Sequence, residues 1–130
     1  MVPFTGGSVM DDYDAIKATV RAYFEGYRTK NRRLLERAFA TEVANMMGYW
    51  RQEDGKIVLT SKPIKDLIDM WVSPEFEPYE FSNGEVLSID IFSPLGATAV
   101  FDCGGKFLDT FQMAKIDGSW RIVNKFFVDK

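Results

Sequence analysis

The end of the chain restricts the fold most. Lys106 to Ile116 and Trp120 to Val128 are two runs rich in aromatic and apolar residues, separated by Asp117-Gly118. An Asp-Gly pair between two such runs signals a hairpin, because a tight turn needs a positive φ that glycine adopts without strain. A hairpin is marginal on its own, so further strands and a covering layer must come from the residues before it.

Those residues supply both. Asp11 to about Tyr27 reads as an amphipathic helix, with Tyr13, Ile16, Val20, Phe24 and Tyr27 recurring at steps of three and four. Asp11, Asp12 and Asp14 stand where carboxylates suit the positive end of the helix dipole, and Gly26 weakens the last turn. Asn31 is placed to cap a second helix, Arg32 to Ala40. Val43 to Trp50 and Ile57 to Thr60 read as strands around Glu53-Asp54-Gly55-Lys56. Ser61 to Pro63 opens a third helix with Ile64, Leu67, Ile68 and Trp71 on one face, stopped by Pro74 and Pro78. Tyr79 to Phe81 reads as a short strand, and Glu85 to Phe92 and Ala97 to Cys103 as longer ones. Helices grouped ahead of an antiparallel sheet predict an α+β domain with helices on one sheet face.

Composition narrows the chemistry. With no histidine among 130 residues, Ser-His and Cys-His catalysis and histidine-bearing zinc sites are excluded. A single cysteine, Cys103, excludes a disulfide within the chain, and with no candidate base beside it the residue reads as small and apolar. No metal or redox cofactor is implied. A net charge of −3 gives no basic footprint for nucleic acid. Arg28, Lys30, Arg32, Arg33 and Arg37 cluster at the corner between the first two helices, where they either meet an anionic partner or form a solvated corner. No run approaches the ~18 apolar residues of a membrane helix, so no membrane partner is expected. Residues 1–10 read as a flexible leader ahead of one domain, 11–130, with Met10 a candidate start. Without a secretory signal the expected compartment is the cytoplasm.

Three helices followed by an antiparallel sheet that ends in Asp117-Gly118-Ser119-Trp120 resemble the nuclear transport factor 2-like (NTF2-like) superfamily. The tail carries the resemblance best, through Phe107, Asp109, Phe111, Met113, Lys115, Trp120, Ile122, Asn124, Lys125 and Phe127. Tyr23, Phe24 and Tyr27, then Leu35 to Phe39 and Asp54-Gly55-Lys56, match the same group. Within the superfamily the chain most resembles small bacterial proteins called "putative lumazine-binding" or SnoaL-like. The resemblance implies a cone-shaped α+β domain with a curved sheet wrapped around three helices, a pocket at its open end and a homodimer through the outer sheet face. Relatives on this scaffold include ketosteroid isomerase, scytalone dehydratase and polyketide cyclases, and also association domains without catalysis, so function must come from the site.

Strand alternation nominates the site. If residues 116–119 form the turn, Met113 faces Ile122, Phe111 faces Asn124 and Asp109 faces Phe126. Asp109, Phe111, Met113, Trp120, Ile122, Asn124 and Phe126 then share the inner face. Leu108, Val123 and Phe127 lie outside, with Thr110, Gln112, Arg121 and Lys125. Asp109 and Asn124 interrupt an apolar face. Asp109 is either a pocket acid or base, as in the isomerase relative, or a structural carboxylate hydrogen-bonded by backbone or tyrosine. In either case no salt bridge is expected, since parity turns Lys125 away. Tyr23, Tyr27, Trp50, Trp71 and Phe111 are candidate pocket walls or core. Asp90 and Asp102 lie on opposite faces of their strands, and one of them is a further candidate for the pocket.

The function expected is a pocket for a small apolar or aromatic ligand, oriented by Asp109 and Asn124. Its enzyme version is cofactor-independent isomerase, dehydratase or cyclase chemistry, with Asp109 as acid or base and Tyr27 as donor. The alternative is a non-catalytic homodimeric association module with a vestigial cavity.

Overall fold

A computed structural model describes residues 11–130. The expected leader therefore lies outside the described residues. Helix α1, Asp12–Arg28, begins where the Asp11 side chain accepts the Asp14 N–H at 2.8 Å. Its apolar stripe buries Ile16, Val20, Tyr23, Phe24 and Tyr27. Tyr13, expected on that stripe, is instead 52% exposed. Lys30 turns the chain with a φ of 55°, and Asn31 caps α2, Arg32–Ala38, by accepting the Leu34 N–H. Gly26 is more than a weak helix former. A Cβ there would sit 2.9 Å from Leu35 Cγ, so its absence lets the two helices close together.

Helix α2 ends before the expected Ala40, because Phe39 is already extended and bridges Ile122 in parallel. Strand β1, Asn45–Arg51, starts later than Val43, which lies exposed in a turn. Strand β2, Ile57–Pro63, runs through Ser61–Pro63, expected as the helix start; Ser61 and Pro63 are taken up in pairing with Met47 and Asn45. Helix α3, Ile64–Trp71, follows at once, burying Ile64, Leu67, Ile68 and Trp71. Residues 72–84 are irregular, and Tyr79–Phe81 form no strand.

Strands β3 (Glu85–Ser93), β4 (Gly96–Cys103), β5 (Phe107–Ile116) and β6 (Ser119–Asp129) complete one six-stranded sheet in the order β2-β1-β6-β5-β4-β3. Strands β1 and β6 pair in parallel; the other neighbouring strands of this order are antiparallel. The sheet is curved and unclosed, its inner face packed on the helices, which makes the α+β fold expected from the sequence. Trp120 is anchored there: its indole N–H donates to Asp12 Oδ1 at 2.9 Å, and its carbonyl accepts from the Thr19 hydroxyl.

The last hairpin departs from simple alternation at one place. Lys115 opposes Trp120 and Met113 opposes Ile122, as expected, but Gln112 then opposes Asn124. Val123 is an extra residue, a β-bulge, and beyond it every side chain of β6 changes face. Asn124 and Phe126 therefore point away from the helices, and Lys125 and Phe127 point toward them. This overturns the expected inner place of Asn124 and the expected outer places of Lys125 and Phe127. A second register decides between the aspartates: Ile91 opposes Ala97. Asp90 then opposes exposed Thr98 on the outer face. Asp102 also faces out, where it pairs with Lys130 and accepts the Gly105 N–H. Neither joins Asp109.

Candidate functional site

The inner face does not fill completely. A cavity of about 320 Å³ remains between the sheet, α1, α3 and the irregular segment 72–84. That volume falls in the lower part of the roughly 300–1,000 Å³ range of small-molecule sites. Its walls are aromatic. Tyr27 meets Trp71 and Phe76 edge to face at 5.3 and 5.9 Å, and Phe81 lies tilted against it at 5.6 Å. Trp50 and Phe127 meet at 5.2 Å on the sheet side. Edge-to-face contacts of this kind hold rings in fixed planes. Gly48 makes the Phe127 position possible, since any Cβ there would overlap its ring.

Segment 72–84 has no backbone ladder to hold it. The Lys30 ammonium donates to the carbonyls of Ser73 and Phe76 at 2.6 and 2.8 Å, and the Tyr79 N–H donates to the Tyr27 hydroxyl at 3.0 Å. The Ser82 hydroxyl donates to the Gly104 carbonyl at 2.9 Å. Other members of the basic corner are also engaged: Arg32 pairs with Asp69, and Arg28 with Glu25.

The buried end of the cavity is charged. Asp109, 1% exposed, and Lys125, 2% exposed, form an ion pair with Nζ 3.1 Å from Oδ1. The expectation that Asp109 stands without a salt bridge is therefore wrong, and the cause is the bulge at Val123, which turns Lys125 inward. Tyr23 donates to Asp109 Oδ2 at 3.2 Å. Burial, and then the neighbouring Asp109 carboxylate, push the Tyr23 hydroxyl well above its ordinary range, so it stays a donor. Close as it is, Nζ lies off the direction a hydrogen bond to Oδ1 requires. Among the described residues Oδ1 is the buried side-chain polar atom without a hydrogen-bond partner. The Lys125 ammonium also rests over the Tyr23 and Phe127 rings at 5.4 and 5.1 Å and points a donor at Met46 Sδ, 3.8 Å away. Those ring faces offset part of the cost of burying it.

Cys103 lines the same end. Burial, with a further push from Asp109, raises its thiol to about 12, so it is not a thiolate nucleophile at neutral pH. Burial likewise raises the Tyr27 hydroxyl, which accepts from Tyr79 and keeps its own proton to donate.

Of the residues singled out from the sequence, Tyr23, Tyr27, Trp50, Trp71 and Asp109 line this one cavity. Phe111 does not. It is packed beneath in the core, 5.8 Å from the Tyr23 ring. Asn124 lies on the outer face and donates to Gln112 Oε1 at 3.3 Å. Lys125, Phe127 and Met46 were missed. One signal could have found Lys125: an aspartate on an apolar inner face demands a counter-charge, and Lys125 was the nearest candidate.

The family model described as "Putative lumazine-binding" matches residues 11–128. An NTF2-like protein of unknown function from Shewanella baltica is 27% identical, with a TM-score of 0.73 over 96% of this chain and 98% of its own. One from Methylobacillus flagellatus is 29% identical, with a TM-score of 0.72 over 94% of each chain. A ketosteroid isomerase-like protein from Erwinia carotovora atroseptica shares the fold at 13% identity, with a TM-score of 0.69 over 93% of this chain and 98% of its own. No curated protein matches. Among the described residues no helix is long and apolar enough to cross a membrane.

Proposed function

The chain belongs to the "Putative lumazine-binding" family of the NTF2-like superfamily, and on that premise we propose that its cavity binds a flat aromatic small molecule such as a lumazine. The observation that carries this reading is the cavity's division of labour. Aromatic rings form its walls, while Asp109, Lys125 and Tyr23 bring polar atoms to its buried end. Most of a ligand's surface would be desolvated between rings, and the few polar atoms would orient it.

The test is quenching of Trp50 and Trp71 fluorescence on titration with lumazine. Saturable quenching at one site per chain is expected. No quenching, together with no organic mass retained by the purified protein in native mass spectrometry, would contradict it.

A catalytic reading has one specific support: Asp109, a carboxylate, and Tyr27, whose hydroxyl keeps its proton, are both among the residues that line the same cavity. In that reading Asp109 moves a proton and Tyr27 donates a hydrogen bond to the ligand. Recovery of an isomerised or dehydrated form of a retained ligand would separate catalysis from binding alone.

For assembly, we propose a homodimer through the outer sheet face. Tyr49 and Leu59, opposite one another on β1 and β2, are 55% and 48% exposed there, and the Tyr49 ring lies 6.3 Å from Phe126.

A further inference from the structure

We propose that residues 73–80 form a hinged flap over the cavity, latched shut by the Lys30 ammonium and the Tyr27 hydroxyl, and that aromatic ligands enter and leave by its opening. This rests on the cavity being a ligand site, as proposed above, and adds how that site is reached.

The walls of the cavity are unequally held. Helices α1 and α3 and the sheet carry their own hydrogen-bond ladders. The flap brings Phe76 and Tyr79 to the lining without one. Pro74 and Pro78 have no N–H to give. Ser73 and Phe76 make local turn bonds, and among the described residues no backbone-to-backbone hydrogen bond reaches residues 77–84. Glu75, Glu77 and Glu80 are exposed and enter no ion pair among the described residues, so charge does not hold the flap down. Two latches do, and both come from the C-terminal end of α1. The Lys30 ammonium takes the Ser73 and Phe76 carbonyls at 2.6 and 2.8 Å, and the Tyr27 hydroxyl accepts the Tyr79 N–H at 3.0 Å. The Lys30 bonds are charge-assisted and the stronger. Beyond the flap the chain is clamped. Phe81 stacks on Phe24 at 5.8 Å, Ser82 is bonded to Gly104, and a Cβ at Gly104 would overlap the Phe81 side chain. A wall held by a few side-chain bonds between fixed ends opens before a laddered one does, and lids are drawn from such segments. Opening parts the ring contacts of Phe76 with Tyr27 and of Tyr79 with Phe107, and uncovers the Tyr27 side of the cavity.

Lys30 does not line the cavity, so Lys30→Met loosens the flap without touching a ligand. Stopped-flow quenching of tryptophan fluorescence by lumazine reads both rate constants. Association and dissociation should each rise roughly tenfold or more in Lys30→Met, because the charged bonds that close the flap are gone. The dissociation constant should change less than about threefold, because the closed form still predominates. Hydrogen exchange of the unliganded protein gives a readout that needs no ligand. The Tyr79 amide should exchange faster in both Lys30→Met and Tyr27→Phe, while the amides of β5 keep their protection. An unchanged Tyr79 amide in both variants would overturn the flap and leave the cavity reading standing. So would unchanged lumazine rates in a variant whose Tyr79 amide exchanges faster, because the ligand would then enter elsewhere. No quenching of the unmodified protein by lumazine, with no retained organic mass, would overturn the cavity reading and the flap with it. If β5 loses its protection in Lys30→Met, Tyr27→Phe decides alone: faster exchange at Tyr79 supports the latch, and unchanged exchange overturns it.

Discussion

Lys125 reaches Asp109 diagonally across the inner face of the last hairpin, its ammonium nitrogen 3.1 Å from Oδ1, because Val123 is one residue too many for β6 to stay in step with β5. Without the bulge the ammonium would face outward and the carboxylate would be buried alone. A single inserted residue therefore sets the charge balance of the cavity.

The pair should behave as a unit. Lys125→Met leaves a buried carboxylate uncompensated and should cost about 3–5 kcal/mol, whereas Asp109→Leu/Lys125→Met should be neutral or more stable than the unmodified protein. Urea melts of the two single variants and the double variant measure the coupling. A loss below about 1 kcal/mol for Lys125→Met would contradict the buried geometry.

Asp12 should contribute to acid sensitivity. The Trp120 indole N–H, with Lys115 assisting, holds its carboxyl below the ordinary value of 3.8. A folded value below the unfolded one favours folding above the unfolded value, and that benefit is lost as pH falls through the folded one. Asp12→Asn should flatten the decline of melting temperature below about pH 4. An unchanged acid limb in the variant would count against the Asp12–Trp120 bond.

Cys103 should resist thiol reagents in the folded protein. It is 2% exposed, and burial pushes its thiol to about 12, so neither access nor thiolate favours attack. Dithionitrobenzoate should label it at the rate of unfolding and quickly in denaturant. Rapid labelling under native conditions would mean that the charged end of the cavity is open to solvent.

The sequence made the helices and the hairpin turn legible, because Ile16, Val20 and Phe24 keep a helical period and Asp117-Gly118 marks a turn. It also made Asp109 legible, since its place on β5 depends only on alternation from that turn. Asn124 and Lys125 were not legible by alternation. Nothing in Arg121-Ile122-Val123-Asn124-Lys125 marks Val123 as a bulge, and period-two counting carries any slip to every later residue. Phe76, Tyr79 and Phe81 were hidden for another reason. Pro74 and Pro78 mark the end of a helix but not where the chain goes next, and that path is held by Lys30 and Tyr27, far away in sequence.

Assembly has its own test. Light scattering at tens of micromolar should give twice the chain mass, and Tyr49→Glu should give the monomer, because it places a charge in the centre of the exposed apolar patch on β1 and β2. A monomeric unmodified protein would contradict the dimer.

Met46 and Met47 offer the most direct test of the central claim, that the inner cavity is the ligand site. They are adjacent on β1 and face opposite ways: Met46 lines the cavity beside Lys125, and Met47 lies opposite Ser61 on the other side of the sheet. Methionine-methyl NMR during titration with lumazine should show a saturable shift of Met46 and little movement of Met47. A shift confined to Met47, or no shift of either at saturating probe, would contradict it.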